Sequence, residues 1–193
     1  MSDGAPPSDG CVQIAPVGIF APELLSAVVE AVRRVFGLAC RTAALLDEIG
    51  FAYDEERKQF HSTAILERLT ACAPTDALKV LAVTREDLFI PILTHVYGEA
   101  QLGGTSCVVS THRLAEGISM VSMRDRYIER VAKEAAHELG HTFDLRHCKD
   151  AHCIMHYCRS ISDVDHKRSE LCRYCRVLLG DYFRKARRTG QER

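Results

Sequence analysis

The chain has 193 residues, a length typical of one compact domain with, at most, a small subdomain. Hydrophobic residues make up 47% and charged residues 26%, a composition that supports a core and excludes disorder as the default. The formal net charge of −1 excludes a protein that binds nucleic acid through bulk positive charge. No apolar stretch is long enough to cross a membrane, and the first ten residues show no features of a secretory signal. We therefore expect a cytoplasmic protein without a membrane or nucleic-acid partner.

Cysteine and histidine stand out in the composition, with nine residues of each. Because nine is odd and no export signal is visible, metal binding is favoured over a disulfide framework. Six histidines fall within residues 137–166 and five cysteines within residues 148–175, so the metal chemistry is expected in one stretch. The chain also lacks Asn, and we hypothesise a thermophilic source because thermolabile amides are rare in proteins from hot habitats.

Strand and helix patterns alternate from the start of the chain. A strand is predicted at residues 12–20, where Val and Ile are frequent. Pro22 suits a first helical turn, and apolar residues then recur at helical spacing until Gly37 ends the helix. Residues 38–46 predict a second strand, and the charged run at residues 54–58 indicates a solvated turn or hairpin edge.

The same alternation continues through the middle of the chain. A helix is predicted from about Ser62, and Pro74 marks its end. A short, buried strand follows at residues 80–83. Two more strands are predicted, one around Tyr97 and one at residues 106–110, joined by a glycine turn.

The pattern changes in the last third of the chain. A long amphipathic helix is predicted from about Arg124, and residues 143–169 after it show no clear period. A last helix is predicted from near Leu171, running into a basic tail at residues 184–188. Alternating strands and helices, followed by an irregular segment between two helices, predict an α/β fold with a C-terminal cap.

The long helix contains a His-Glu-x-x-His motif at residues 137–141. Four residues are just over one helical turn, so His137 and His141 project from one face and can bind the same metal ion. Glu138 lies about 100° round the helix, where it can take a proton from a metal-activated water. Catalytic zinc needs neutral nitrogen ligands and an open fourth position, and His147 is expected to be the third ligand.

Two simpler explanations of this motif are weak. A chance His-Glu-x-x-His is expected in roughly 3% of shuffled chains of this composition, and a third histidine at its fixed offset lowers this to roughly 0.1%. Core packing explains the motif poorly, because two adjacent buried imidazoles and a carboxylate need hydrogen-bond partners. The residues therefore predict a zinc site.

Residues 137–147 resemble the long zinc signature of the metzincin metallopeptidases, in which two histidines sit on a helix and a third follows a turn. Later residues make the resemblance specific to the archaemetzincins: Cys148, Cys153, Met155, Cys172 and Cys175. The resemblance implies a metzincin-like α/β fold with an N-terminal mixed, twisted sheet and helices that include the zinc-binding helix. A small irregular or helical C-terminal subdomain would carry a Met-turn and a structural zinc.

The resemblance assigns roles to the methionine and the cysteines. Met155 would form the Met-turn beneath the catalytic metal without binding it, and the four cysteines would hold the structural zinc. Cys148 and Cys153 form one pair, and Cys172 and Cys175 form a CxxC motif. Four thiolates in this arrangement also suit closed tetrahedral coordination of zinc, which leaves no open position for chemistry. A redox pair formed by Cys172 and Cys175 is the alternative. The expected cofactors are thus two zinc ions per chain, one catalytic and one structural.

Two residues depart from the family pattern. Asp144 stands where the metzincin turn has Gly, at a position that needs a left-handed backbone. Asp tolerates that conformation better than most residues, so we expect the third ligand to be delivered nonetheless. Cys158 is an extra thiol, which could compete with a family cysteine for the structural zinc.

Two further roles are hypotheses. Residues 155–157 resemble the Met-turn of the astacin branch, whose tyrosine can approach the metal and stabilise the developing oxyanion; Tyr157 is either this catalytic residue or a packed wall residue. The family resemblance also places Val96, Tyr97 and Gly98 on an edge strand above the zinc helix, where a peptide substrate could add as another strand.

The expected function is that of a zinc metallopeptidase, which hydrolyses peptide bonds with a zinc-activated water and Glu138 as the general base. We expect a single catalytic domain at residues 1–193, with an N-terminal subdomain at residues 1–142 and a C-terminal subdomain at residues 143–193. One alternative is a zinc-binding protein with a metzincin-like site but little or no peptidase activity. Another is a zinc-ribbon interaction module that uses only the cysteines.

Overall fold

The computed structural model describes residues 10–190, and the side chains of residues 10–188. The first nine residues, where no secretory signal is expected, and the last three lie outside it. The described residues form these elements: β1 (Cys11–Pro16), α1 (Pro22–Phe36), β2 (Ala39–Thr42), β3 (Tyr53–Asp54), β4 (Gln59–His61), α2 (Ser62–Ala71), β5 (Ala77–Thr84), β6 (Leu88–Phe89), β7 (Gly98–Ala100), β8 (Ser106–Ser110), α3 (Arg124–Thr142), α4 (Ile161–His166) and α5 (Arg173–Gly190). Among them, no helix is long and apolar enough to cross a membrane.

A five-stranded sheet lies at the centre of the molecule, in the order β2–β1–β5–β8–β7. Strands β2, β1, β5 and β8 are parallel, and β7 pairs antiparallel with β8 at one edge. In β5, Leu81 and Val83 join one hydrophobic cluster, whereas Val80 and Ala82 join the other. The sheet is therefore buried on both faces, which explains why its central strands are continuous apolar runs.

Helices cover the two faces unequally. α1, α3 and the C-terminal segment pack in the larger cluster, and α2 packs in the smaller one. α3 contacts both β8 and β7, so the helix that carries the His-Glu-x-x-His motif lies beside the antiparallel edge of the sheet. This packing brings the motif and the edge strand to the same place.

The C-terminal segment folds back onto the end of α3. Phe143, the residue after α3, lies with its ring centroid 5.2 Å from that of Phe36 in α1 and 5.5 Å from that of Phe183 in α5. Phe143 is 1% exposed, so these three rings join both helices to the turn that follows the motif.

The α/β class predicted from the sequence is confirmed, together with helices α1, α2 and α3, but several strand predictions are wrong in extent. The strand predicted at residues 12–20 ends at Pro16, and the one predicted at residues 38–46 spans only Ala39–Thr42. The edge strand predicted at residues 96–98 begins only at Gly98. Apolar residues just beyond these ends, such as Val17 and Leu45, pack partly buried against the smaller cluster, and single backbone bonds such as that from Val17 N to Val83 O continue past the regular strands.

Most short elements escape the sequence patterns, although the turn predicted at the charged run of residues 54–58 is confirmed between the antiparallel strands β3 and β4. A second sheet, in the order β3–β4–β6, has strands of two or three residues, too short to show a period of two. α4 interrupts the segment predicted to be irregular, although the capping box between Ser160 and Asp163 is visible in the sequence. α5 begins at Arg173, two residues after the predicted start.

Candidate metal centres and active-site cleft

The structure brings the three predicted histidine ligands together. α3 supplies His137 and His141 one turn apart, and His147 follows after the helix has ended. Ligand nitrogens of the three side chains lie within 4.8 Å of one another. The three histidines could therefore hold a metal ion.

Hydrogen bonds fix which nitrogen of each helical histidine faces this cluster. His137 Nδ1 lies 2.8 Å from the carbonyl oxygen of Ile154, and His141 Nδ1 lies 2.7 Å from that of Leu145. A carbonyl only accepts, so each Nδ1 donates and each neutral ring keeps its lone pair on Nε2. The two Nε2 atoms are 3.2 Å apart. Two lone pairs at this distance repel each other unless they share a cation, so the donor set fits a metal ion.

The surroundings keep these imidazoles neutral. Burial, followed by the charge of Lys167, holds the pKa of His137 well below its usual value. Burial likewise lowers the pKa of His141 to about 4 and lowers the pKa of His147. Neutral imidazole is the form that binds zinc, so no proton needs to leave these ligands at neutral pH.

Asp144 turns the chain after α3 towards the third histidine. Its φ of 61° lies in the left-handed region, as the sequence predicts. The N–H of Asp144 donates to the carbonyl of His141 at 3.0 Å, and that of Leu145 donates to the carbonyl of Gly140 at 3.2 Å. These two bonds form a Schellman motif with Asp144 in the position usually taken by Gly. The motif ends the helix and directs His147 back over the helical pair.

Glu138 lies at the base of a cleft and is 6% exposed. A Cβ atom at Gly98 would lie 2.5 Å from Glu138 Cγ, so only glycine lets β7 pass this close. Burial, reinforced by Glu134 and opposed by Lys167, raises the pKa of Glu138 well above its usual value. A nearby cation favours the carboxylate, so metal binding and the ionised form of Glu138 are coupled.

The cleft has a volume of about 430 Å³ and is lined by all three histidines, Glu138 and the segment at residues 93–100. Tyr97 O accepts from Ser110 N at 2.7 Å, and Gln101 N donates to Ser106 O at 3.0 Å. In an antiparallel pair such bonds alternate along the strand, so the backbone groups of Gly98 and Ala100 point away from β8. Val96, Tyr97 and Gly98 all line the cleft, although only Gly98 belongs to β7.

Tyr157 and Met155 lie on different sides of the histidine cluster. Tyr157 lines the cleft with its ring centroid 4.9 Å from that of His147, and it is 43% exposed. Met155 is fully buried against the zinc helix, because a Cβ at Gly140 would lie 2.5 Å from its sulfur. Gly140 therefore leaves the space that the Met155 side chain fills against α3.

The four family cysteines form a second cluster. Ligand sulfurs of Cys148, Cys153, Cys172 and Cys175 lie within 4.8 Å of one another and could hold a metal ion. The backbone N–H of Cys172 donates to Cys153 Sγ at 3.3 Å, a contact that stabilises a thiolate. Cys158 is not part of this cluster; it lines the catalytic cleft instead, and burial raises its pKa to about 11.

An ion pair beside the histidines has no counterpart in the sequence predictions. Lys167 Nζ lies 2.6 Å from Glu134 Oε1, with both side chains buried, and 3.4 Å from His137 Nδ1. Glu134 could have been noticed, because it lies one turn before Glu138 on the same helix face. Lys167 could not, since nothing local marks a lysine that pairs with a residue so distant in the chain.

Three neutral histidines, two of them on a helix together with a glutamate, line an open cleft beside the edge of an α/β sheet, an arrangement typical of a zinc peptidase. Comparison with known proteins agrees. Residues 44–180, well over half of the chain, match the model of Peptidase family M54. An archaemetzincin from Halobacterium salinarum is 36% identical over 168 residues, which cover 85% of this chain and 96% of that protein.

Solved structures are similar over nearly the whole chain. The crystal structure of archaemetzincin from Methanopyrus kandleri matches with a TM-score of 0.77 at 32% identity, covering 91% of this chain and 96% of that one. A zinc-dependent peptidase from Methanocorpusculum labreanum matches with a TM-score of 0.78 at 27% identity, covering 87% and 99%. The chain therefore belongs to Peptidase family M54 and is a zinc metallopeptidase. The predicted resemblance to the archaemetzincins and the predicted fold class are confirmed.

Proposed function

We propose that this chain hydrolyses peptide bonds at the three-histidine site, with Glu138 as the general base. The observation that carries the proposal is the pair of Nε2 atoms of His137 and His141, which face each other at 3.2 Å while both Nδ1 atoms are engaged by carbonyls. His147 would complete the ligand set, and all three histidines line the cleft, from which a substrate would reach an open fourth position. A zinc-binding protein without peptidase activity is not favoured by the family, and a module that uses only the cysteines leaves the histidines unexplained.

His137, His141 and His147 would hold a zinc ion, which would supply a water molecule with a pKa of about 7 and polarisation of the scissile carbonyl. Glu138 accepts a proton from the attacking water as the oxygen forms its bond to the carbonyl carbon. It then gives that proton to the leaving amine nitrogen as the C–N bond breaks. The same carboxyl thus carries one proton from water to amine, and its burial excludes competing solvent.

A peptide substrate would add to the edge of the sheet as a further strand. The backbone groups of Gly98 and Ala100 are turned outwards from β8, so they can pair with a peptide that lies over Glu138. Val96 and Tyr97 would contact substrate side chains from the wall of the cleft. Main-chain pairing of this kind orients the scissile bond without demanding a particular sequence.

Tyr157 and Met155 have supporting roles in this proposal. Tyr157, next to His147 at the rim, would donate its hydroxyl hydrogen to the oxyanion that develops at the carbonyl oxygen. Met155 would form the Met-turn, packing beneath the metal through its contact with Gly140. Neither residue would need to bind the metal.

A second zinc, held by the four cysteines, would have a structural role. Thiolate ligands alone give closed tetrahedral coordination, so this site would supply no water for chemistry. It would join the segment around Cys148 and Cys153 to the start of α5 at Cys172 and Cys175. We place the boundary between the subdomains after Thr142, within one catalytic domain of residues 1–193.

Peptide-library cleavage by the wild type and by Glu138→Gln tests the proposal, with zinc quantified on the same samples. The wild type should cleave and hold two zinc ions per chain, and Glu138→Gln should hold the same zinc but lose about 100-fold or more in kcat. Glu67→Gln, which changes an exposed carboxylate on α2, is the matched control and should leave cleavage unchanged. Equal inertness of all three proteins with both metals bound would defeat the peptidase proposal.

A further inference from the structure

The carboxylates that line the cleft are already engaged, so they are not available to a substrate. Glu134 pairs with Lys167 at 2.6 Å. Glu99 accepts hydrogen bonds from the hydroxyl of Thr63, at 3.0 and 3.1 Å, and from that of Ser62 at the start of α2. Glu138 is the proposed general base. The acidic side chains of the cleft therefore offer a substrate no free negative charge apart from the reacting group.

Arg159 is the exception among the charged groups. Of the described residues that line the cleft, it is the one Lys or Arg. Its guanidinium forms no ion pair or hydrogen bond with any other described residue, and the side chain is exposed to solvent. A cation at a cleft wall without a partner in the protein can bind an anionic group of a ligand with a charge-assisted hydrogen bond.

The backbone that carries Arg159 is held in place. Its N–H donates to Asp163 Oδ2 at 2.9 Å, next to the capping box that starts α4 at Ser160. Two residues earlier, Tyr157 stacks near His147 with ring centroids 4.9 Å apart. Arg159 is therefore presented from an anchored segment, close to the third histidine.

Much of the remaining wall is apolar, and its polar members, Thr94, His95 and Tyr97, come from the loop before β7. The apolar part is formed by residues from the same loop and by one residue shortly after β7: Ile90, Leu93, Val96 and Leu102. A pocket with apolar walls and few convergent polar groups takes its specificity from those polar groups. Among the described residues that line this cleft, the guanidinium of Arg159 is the one Lys or Arg group, so it is the group that can select a ligand by negative charge.

We propose that Arg159 makes this enzyme select peptides that carry a carboxylate close to the scissile bond. The inference rests on the proposed peptidase function, because it places the peptide in the same cleft. A glutamate or aspartate side chain, or a terminal carboxylate, supplies two oxygens in the fork geometry that the guanidinium binds. Peptides with lysine at that position would be disfavoured by like charge.

The test compares peptides that differ at one position, with Glu, Gln or Lys placed in turn at each of the two residues on either side of the cleaved bond. Binding is measured by fluorescence anisotropy to zinc-loaded Glu138→Gln protein, and cleavage is measured with the wild type. At one position, Glu should be preferred to Gln by about fivefold or more in Kd and in kcat/KM. The preference should weaken as the salt concentration rises.

Variants at Arg159 assign the preference to this side chain. Arg159→Gln should bring the ratio between Glu and Gln peptides close to one, and Arg159→Glu should reverse the order of the Glu and Lys peptides. Arg168→Gln, which removes an exposed arginine outside the cleft, is the matched control and should keep the wild-type ratio.

Failure of this inference can be told apart from failure of the proposed function. A ratio between Glu and Gln peptides that survives in Arg159→Gln, or no preference at any position, overturns the role of Arg159 even if the wild type cleaves neutral peptides. A charge preference in binding that disappears in Arg159→Gln supports that role even if the wild type cleaves nothing, in which case only the peptidase function falls.

Discussion

Asp144 illustrates how a single residue bears on the metal site. A left-handed backbone costs a side-chain-bearing residue roughly 1–2 kcal/mol, and Asp is among the residues that tolerate it best. The gain is the Schellman turn, in which Asp144 and Leu145 satisfy carbonyls at the end of α3. Since His147 follows this turn directly, the backbone conformation of one residue determines where the third ligand lies.

Substitution of Asp144 should separate backbone strain from side-chain chemistry. We expect Asp144→Gly to change the free energy of unfolding by no more than about 1 kcal/mol, because relief of strain offsets added chain entropy. Asp144→Val should lose about 1–2 kcal/mol, since a β-branched residue is poorly accommodated at a φ of 61°. Urea unfolding of the zinc-loaded proteins measures both. Arg146→Val, at an exposed neighbour with an ordinary backbone, should be nearly neutral; equal losses in both Val variants would contradict the strain argument.

At the scale of elements, α3 is attached to the C-terminal segment by buried charges. Arg130 forms a two-pronged bond with Asp165, with both N–O distances at 2.7 Å. Lys133 donates to the carbonyls of Val164 and Asp165, and Glu134 pairs with Lys167. Positions 130, 133 and 134 share one face of α3, so these three sets of polar contacts hold the end of α4 against that helix.

Removing one charge of the innermost pair should be more damaging than removing both. Glu134→Gln leaves the ammonium of Lys167 buried and unpaired, so we expect a loss of about 3–5 kcal/mol in the free energy of unfolding. The double variant Glu134→Gln/Lys167→Met should recover part of this loss, because no isolated charge remains. Asp165→Asn changes the more exposed pair, which Asp165 forms with Arg130. It should lower the free energy of unfolding by less than Glu134→Gln does, because solvent can reach the guanidinium that remains. Chemical denaturation of the zinc-loaded proteins measures the free energy of unfolding of all three, and a double variant no more stable than Glu134→Gln would contradict this account.

At the scale of the whole molecule, two kinds of stabilising interaction occur together at the end of α3: apolar packing, and contacts that involve charged side chains and cysteines. The sheet and its helices share two apolar clusters, and the larger one also includes buried residues from the segment after α3, such as Leu145, Ile154 and Met155. This segment has little regular structure, and the Phe143 contacts, the buried charged pairs and the cysteine cluster add to its apolar packing. The division into two subdomains stays a prediction. The cytoplasmic location and the thermophilic source stay predictions.

Loss of the thiolate metal should loosen this segment and spare the sheet. In Cys172→Ser, we expect about one zinc ion fewer per chain and faster amide hydrogen exchange at residues 148–176, because metal binding there supplies folding free energy. Strands β1, β5 and β8 should keep their protection. Cys72→Ser, which changes an exposed cysteine outside the cluster, is the control and should match the wild type. Unchanged zinc content and exchange in Cys172→Ser would rule out a structural metal at this cluster.

Sequence reasoning predicted the histidine set because its spacing is local, and the four-cysteine set because of the family resemblance. His137 and His141 are one helical turn apart, whereas Cys148 and Cys172 are 24 residues apart and meet only in the folded chain. The left-handed turn at Asp144 was equally local. Strand ends and the second small sheet were not predictable, because pairing with distant partners decides where a short extended run stops.

The sequence by itself predicted the candidate metal ligands, the α/β alternation and the helix that carries His137, Glu138 and His141. Only the tertiary structure decided that Gly98 lets the edge strand pass over Glu138, that Lys167 pairs with Glu134 beside His137, and that Arg159 is left unpaired in the cleft. The physical reason is the distance along the chain between the residues that interact. Spacing along a helix is set by its own backbone geometry, whereas burial, charge pairing and cleft walls arise between segments that meet only when the chain has folded.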